Sequence, residues 1–290
     1  MKIQYENVKL PECDCTNIPV QLTDETMKER LNKVLDRMNC ENFDSLVIYA
    51  DLEHGNNFEY LTGFLPRFEE ALLILNTNGN HYMVLGNENL NKASKARIKA
   101  TPIHCPYFSL PNQPMDVKKG IKDILSQCGF DKANKVGIVG WKNFTSNYED
   151  NSQLFDVPYY IVDTIRDIFG YNIYNATRLF IGDNGARCTN NVNEIVHYEF
   201  GAALASDCIL KAMNHLDVGV SEMELGDILN AYGQKNSVVT IAASGPRFIK
   251  ANIYPTNNTV KLKDPISLSI GYKGGFSSRA GYAVHDSSEL

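Results

Sequence analysis

Four polar residues near the end of the chain are candidates for binding or catalysis. They offer an amide, a phenol, a hydroxyl and a guanidinium: Asn252, Tyr254, Ser269 and Arg279. No Asp or Glu occurs from Pro265 to His285, so this segment supplies no carboxylate for acid–base work or for a hard metal ion. Ser269 has no His or Lys at a spacing that predicts activation as a nucleophile. Arg279 suits a carboxylate or another anion, so the segment indicates binding rather than bond cleavage.

The histidines form no recognisable metal or catalytic group. His197 and His215 lie on one face of a predicted helix, roughly 27 Å apart along its axis, which is too far for one metal ion. His285 and Asp286 are adjacent on a predicted strand. Because consecutive side chains of a strand point to opposite faces, we do not expect these two residues to form a dyad.

The elements that would position these residues alternate between strands and helices. Buried apolar runs predict strands at Ser45–Ala50, Ala71–Leu75, His81–Leu85, Ile103–Cys105 and Val136–Gly140. Apolar residues at helical spacing predict helices at 23–38 and 191–216, and a capping box of Ser221 and Glu224 predicts another that ends near Gln234. This alternation predicts an α/β domain with a mixed sheet.

Two glycine-containing turns are predicted from their flanking apolar runs. Asn78-Gly79 predicts a two-residue hairpin turn, in which both residues take a positive φ. From Thr240 onward, short apolar runs alternate with Gly, Pro and Asn clusters, which predicts strands separated by turns. Gly274-Gly275 lacks a following helix and a Lys-Ser/Thr pair, so we interpret it as a hairpin turn rather than a phosphate loop.

Several motifs resemble one known family. Ser244-Gly245-Pro246, Tyr254-Pro255-Thr256 and the strands that follow resemble the first half of the pita-bread catalytic domain. That family includes Xaa-Pro dipeptidases and aminopeptidases, methionine aminopeptidase and creatinase. Tyr60-Leu61-Thr62-Gly63-Phe64 resembles the domain that prolidases and creatinases carry before the catalytic domain. The resemblance covers about Leu31 to Leu290. It implies a creatinase/prolidase-like α/β domain at residues 1–175, followed by the first half of a pita-bread α/β domain at 176–290.

The chain departs from the family pattern at the positions that carry its chemistry. The family's first metal-binding Asp falls on Ser269, and its second falls on Arg279 or, at the family's usual spacing, on Ala280. Its substrate-side His falls on Asn252, whereas Tyr254 matches a residue that lines the substrate pocket. We expect Ser269 and Arg279 to face one pocket. A hydroxyl and a guanidinium do not replace two carboxylates, so we expect no metal cofactor.

Three functional hypotheses follow from this comparison. The first is a pseudoenzyme that has lost metal-dependent peptidase chemistry and binds a peptide, an anionic ligand or a partner protein. The second is a fragment of an active Xaa-Pro dipeptidase or aminopeptidase, or of a metal-free creatinase-type hydrolase. The third is a structural role in which the N-terminal domain dimerises, and we expect a homodimer. The family's remaining ligands come from a second half-domain, which we expect this chain to lack.

Composition limits the remaining classes. The chain has 290 residues and a formal net charge of −6, without a basic run that would predict nucleic-acid binding. It has no apolar stretch long enough for a membrane span and no signal-peptide pattern, so we expect a cytoplasmic protein. Its seven cysteines predict reduced thiols. Cys13 and Cys15 lack a second pair, and we interpret them as incidental thiols rather than half of a zinc or redox site.

Overall fold

The chain forms two compact units. The computed structural model describes residues 18–115, 118–130, 135–250 and 254–289. The N-terminal unit comprises residues 23–190, and the C-terminal unit comprises residues 191–290 together with the described segment 18–22. The predicted α/β class is confirmed. The domain boundary at 175/176 stays a prediction, and Cys13 and Cys15 lie outside the described residues.

A six-stranded mixed sheet forms the centre of the N-terminal unit. Its strands are β1 (Ser45–Ala50), β2 (Ala71–Asn76), β3 (Tyr82–Leu85), β4 (Thr101–His104), β5 (Val136–Val139) and β6 (Ile173–Asn175). Their order is β4-β3-β2-β1-β5-β6. β1 pairs antiparallel with β2 and parallel with β5. Every residue of β1 and β2 is buried, which explains why these strands appear as continuous apolar runs in the sequence.

Helices cover both faces of this sheet. They are α1 (Asp24–Cys40), α2 (Asn56–Thr62), α3 (Ile121–Leu125), α4 (Tyr159–Phe169) and α5 (Arg178–Ile181), with short 3₁₀ turns at 90–95, 106–108 and 151–153. α1 and α2 pack against one face, where Val34, Met38 and Phe58 join the core. α3 and α4 pack against the other face through Leu125, Ile161 and Ile165. The mixed sheet of an α/β domain is therefore as the sequence predicts, and the structure adds that helices cover both of its faces.

The β2–β3 hairpin differs from its prediction at the turn. The strands pair as expected, with Ala71 opposite Leu85 and Ile74 opposite Tyr82. The two-residue turn is wrong, because only Gly79 has a positive φ, at 85°, while Asn78 does not. The Gly79 N–H donates to the Asn76 carbonyl at 3.0 Å, as in a turn that ends in one left-handed residue. The turn contains more residues than predicted and needs one glycine.

Replacing Gly79 with Val is expected to reduce the stability of the N-terminal unit by about 1 kcal/mol or more, because a β-branched residue resists positive φ. A Cβ at Gly79 would have no atom within 4 Å, so the cost would come from the backbone alone. Thermal denaturation followed by the fluorescence of Trp141, the only Trp, measures the effect. Gly79→Asn is the matched control, since Asn tolerates this conformation. A Val variant that melts with the wild type would contradict the assigned turn.

The C-terminal unit contains two helices and a three-stranded antiparallel sheet. They are α6 (Val192–His215), α7 (Glu222–Leu229), β7 (Ile241–Ser244), β8 (Pro265–Tyr272) and β9 (Gly275–Tyr282), and short 3₁₀ turns lie at 245–249 and 287–289. The sheet order is β7-β8-β9, and the predicted hairpin joins β8 to β9, although its two turn residues are Lys273 and Gly274 and Gly275 already begins β9. No helix in the described part of the chain is long and apolar enough to cross a membrane.

α7 begins as predicted and ends earlier than predicted. The Ser221 hydroxyl accepts the Glu224 N–H, and Glu224 accepts the Ser221 N–H, which confirms the capping box. The Tyr272 hydroxyl then donates to the Leu229 carbonyl at 2.6 Å and accepts the Ala231 N–H at 2.8 Å. A tertiary contact from β8 therefore satisfies the end of this helix, and the sequence of α7 alone does not reveal it.

Candidate functional site

The two faces of the β7–β9 sheet differ in chemistry. On β8, alternate residues Ile266, Leu268, Ile270 and Tyr272 enter the core that includes residues of α6 and α7. The intervening residues Ser267, Ser269 and Gly271 therefore lie on the other face, which we call the Ser269 face. The candidate site residues of the sequence have to be assigned to one of these two faces.

The β8–β9 register brings Ser269 next to a residue that the sequence analysis did not consider. Ser269 lies opposite Ser278, and their hydroxyl oxygens are 2.6 Å apart. The Ser269 residue is 2% exposed, so its hydroxyl is satisfied by this partner rather than by solvent. Two hydroxyl groups, each held by the other, thus occupy the position on this face that resembles the family's metal site.

Arg279 lies on the opposite face from Ser269. It pairs with Leu268, whose side chain points into the α6 side of the sheet, so the prediction that Ser269 and Arg279 face one pocket is wrong. Ala280 pairs with Ser267 and lies on the Ser269 face. Of the two sequence alternatives for the second family position, Ala280 therefore shares a face with Ser269. Arg279 is exposed and donates to the Ser278 carbonyl at 2.7 Å.

These residues do not fit the two metal ions that the family resemblance implies. Hard divalent ions need carboxylate oxygens that bridge the metals and offset their charge. Ser269 and Ser278 offer neutral hydroxyls that already bond to each other, and Ala280 offers no ligand atom. We therefore derive no chemical step through a metal at this position.

The loop before β8 places Tyr254 at the surface. Its side chain is half-exposed, and the Arg247 guanidinium donates to the Tyr254 carbonyl oxygen at 2.8 Å. Asn252, the other predicted residue of this loop, lies outside the described residues. Tyr254 is thus attached through its backbone while its ring stays accessible, which suits a contact with a ligand.

A buried carboxylate holds this loop and the Ser-Gly-Pro turn together. Glu222, the first residue of α7, is fully buried, and its side chain is an ion-pair partner of Arg247. It accepts the backbone N–H and the hydroxyl of Ser244 at 2.8 and 3.0 Å. It also accepts the backbone N–H and the hydroxyl of Thr256 at 3.1 and 2.8 Å. Glu222 therefore joins both family motifs to the start of α7.

Burial would raise the pKa of the Glu222 carboxyl, but hydrogen bonds from Thr256 and Ser244 outweigh this effect and lower the pKa below its usual range. The carboxylate is therefore ionised at neutral pH and acts as a fixed acceptor, not as a proton donor. Glu222 therefore has a structural role, because its carboxylate oxygens are occupied by hydrogen bonds from the loop and the turn.

His285 has a different acidic partner from the one considered in the sequence. Its Nδ1 lies 3.1 Å from the Glu289 carboxylate. The hydrogen bond that His285 donates to the Glu289 carboxylate, together with the negative charge of that group, raises the pKa of His285 above its usual value. Both groups lie at the surface, so the contact is an exposed ion pair that contributes little to stability.

A polar cluster in the N-terminal unit lies where β1 ends. The Tyr49 hydroxyl donates to Asp51 at 3.2 Å, and His54 lies 2.8 Å from the same carboxylate. Tyr160 donates to Glu70 at 3.3 Å, and burial raises the pKa of Glu70. These bonds connect α4 with the start of β2 and fix the residues after β1, so they explain local structure.

Comparisons with known proteins agree with this architecture. The sequence of residues 30–166 matches the creatinase/prolidase N-terminal domain family. The chain superimposes on a Xaa-Pro dipeptidase from Bacillus anthracis with a TM-score of 0.62 and 15% identity, over 91% of this chain and 67% of that one. For a prolidase from Thermococcus sibiricus, the TM-score is 0.64 at 18% identity, with coverage of 91% and 67%.

The chain therefore has the fold of these Xaa-Pro dipeptidases and prolidases, and its residues 30–166 are similar to the creatinase/prolidase N-terminal domain. The dipeptidase PepE from Mycobacterium ulcerans has the same fold, with a TM-score of 0.63, 15% identity and coverage of 90% and 65%. The chain spans about two thirds of the length of these structures. No match is found among curated protein sequences.

Sequence reasoning missed two residues of the candidate site. Ser278 was overlooked because the hairpin register, which pairs it with Ser269, depends on where the turn falls. Glu222 lies beside the capping box, and its contacts are 22 and 34 residues away in sequence at Ser244 and Thr256. The turn at Gly274 could have revealed Ser278, because counting residues outward from this turn along both strands pairs Ser278 with Ser269.

Proposed function

We propose that this prolidase/creatinase-like protein lacks metal-dependent peptidase chemistry and binds a peptide or a partner protein. The observation that carries the proposal is the pairing of Ser269 with Ser278 on the face where the family resemblance places two carboxylates. A neutral hydroxyl pair cannot offset the charge of two divalent ions. The expected homodimer and cytoplasmic location stay predictions.

Binding is favoured by the groups that remain accessible. The Tyr254 ring is half-exposed on an anchored loop, and Arg279 is an exposed guanidinium on β9. An aromatic ring and a guanidinium recognise apolar and acidic groups of a peptide, respectively. These two groups therefore support recognition of a peptide rather than its hydrolysis.

Purified chain, dialysed against Mn²⁺, Co²⁺ or Zn²⁺ and then against buffer, is expected to retain no stoichiometric metal and to leave Xaa-Pro dipeptides intact. Elemental analysis and release of proline measure the two results. One or two metal ions per chain, lost on chelation together with peptidase activity, would overturn the proposal.

A pair of double variants tests the assignment of the two faces. Ser269→Asp with Ala280→Asp places both carboxylates on the Ser269 face, so we expect Mn²⁺ affinity to rise above that of the wild type. Ser269→Asp with Arg279→Asp is the matched control, because its second carboxylate lies on the other face. Isothermal titration with Mn²⁺ should separate them, and equal affinities would contradict the register.

A further inference from the structure

β9 forms an exposed edge of the C-terminal sheet. Among the described residues it pairs only with β8, over eight consecutive positions from Gly275 to Tyr282. Six of its eight residues, Phe276 and 278–282, are exposed, and the other two are partly buried. The strand is therefore accessible along its outer side.

The outward-facing backbone groups follow from the hairpin turn. Lys273 and Gly274 form a two-residue turn, so Tyr272 and Gly275 exchange backbone hydrogen bonds and every second pair does the same. The N–H and C=O groups of Phe276, Ser278 and Ala280 then point away from β8. The bond from the Arg279 side chain to the Ser278 carbonyl agrees with this assignment.

β9 lacks the features by which edge strands avoid pairing with other chains. It contains no Pro and no Lys, and its register with β8 has no bulge. Arg279 is its only charged residue. The side chain of Arg279 covers one outward carbonyl, at Ser278, so a second strand needs to displace only that contact.

The charge of the sequence segment that contains β9 favours an acidic occupant, although Arg247 in this segment is already paired with Glu222. Residues 235–283 contain a single acidic residue, Asp264, in a chain whose net charge is −6. The seven basic residues of this segment are Lys235, Arg247, Lys250, Lys261, Lys263, Lys273 and Arg279. A second copy of the chain would bring two such basic segments together, which costs electrostatic energy. Binding of an acidic chain would instead be electrostatically favourable.

We propose that an extended acidic peptide adds to the outer edge of β9 as a further strand. The proposal rests on the proposed function and specifies the peptide's conformation and charge. Backbone hydrogen bonds from Phe276, Ser278 and Ala280 supply affinity without sequence preference. The Arg279 side chain releases the Ser278 carbonyl and pairs with a carboxylate of the peptide, which supplies the preference for acidic sequences.

Fluorescence anisotropy with two labelled eight-residue peptides tests the proposal. One peptide alternates Glu with Val, and the other alternates Lys with Val. We expect the full chain to bind the acidic peptide at least tenfold more tightly than the basic one. Arg279→Gln should weaken binding of the acidic peptide about fivefold to tenfold. Lys263→Gln is the matched control, since it also removes one exposed charge, and it should change the affinity less than twofold.

The Ala280→Pro variant distinguishes binding by strand addition from binding by charge alone. It removes an N–H that points away from β8, a position at which edge strands tolerate proline, and it should abolish binding of the acidic peptide. Circular dichroism checks that this variant is folded. If it is not, the affinity of Arg279→Gln for the acidic peptide tests the proposal instead. Unchanged affinity in both variants, or self-association through β9 in sedimentation, would overturn the proposal. Metal-dependent cleavage of Xaa-Pro peptides would overturn the proposed function, whichever peptide binds.

Discussion

Glu222→Gln is expected to lower the free energy of unfolding of the C-terminal unit by about 3–5 kcal/mol, the cost of breaking a buried charge pair. The carboxylate is fully buried, and its donors belong to two separate segments of the chain. They are the turn that contains Ser244 and Arg247, and the Thr256 loop. An amide would remove the negative charge beside Arg247 and would turn an N–H₂ group toward other donors.

The same contacts predict how stability changes with pH. Hydrogen bonds hold the pKa of Glu222 below its usual range in the folded state, so folding favours the ionised form. This contribution is fully present above the unfolded pKa of a glutamate, about 4.3, and is lost as the pH falls through the lower folded pKa. The wild-type chain should therefore lose more stability than Glu222→Gln on acidification below this value.

Hydrogen exchange of residues 241–282 measures the effect within the C-terminal unit. Trp141 fluorescence serves as the reference, because this only Trp lies in the N-terminal unit. Glu224→Gln is the matched control on the same helix. Its carboxylate is exposed and, among the described residues, bonds within the capping box at Ser221, so its loss should cost much less than the loss of the Glu222 carboxylate. Equal effects of the two variants would contradict the role assigned to Glu222.

The N-terminal sheet could be predicted from the sequence because its signals are local. β1 and β2 are buried on both faces, so their residues form continuous apolar runs that end at polar residues. The β2–β3 turn was harder to predict, because Asn-Gly is compatible with two hairpin loops whose lengths differ by one residue. The structure selects the longer one, in which Gly79 alone has positive φ.

The candidate site was less predictable because it depends on register and on distant contacts. A shift of one residue on β9 exchanges Arg279 for Ala280 on the Ser269 face, and the sequence left both alternatives open. The position of Ser278 follows only after the hairpin pairing is known. Glu222 gives no local signal of its tertiary role, because an acidic residue in the first turn of a helix is ordinary.

Gly201→Ala is expected to destabilise the C-terminal unit by about 2–3 kcal/mol, although alanine is the better helix former by about 1 kcal/mol. Gly201 is buried in α6, and a Cβ there would overlap the backbone carbonyl oxygen of Lys273 in the β8–β9 turn. From the other side, a Cβ on Gly275 would overlap the backbone of Ala202. The helix and the turn therefore meet backbone to backbone, and neither can move like a flexible side chain.

Thermal and urea denaturation, with hydrogen exchange of residues 241–282, measure this cost. Gly275→Ala should have an effect of similar size, and the double variant should cost less than the sum, since one displacement of the turn relieves both overlaps. Gly281→Ala on β9 is the matched control, because no atom lies within 4 Å of its Cβ position. A stabilised Gly201→Ala variant would mean that helix propensity dominates and that α6 and the β8–β9 turn are farther apart than described. The close contact explains why the sequence has glycine at a position where helix propensity alone favours alanine.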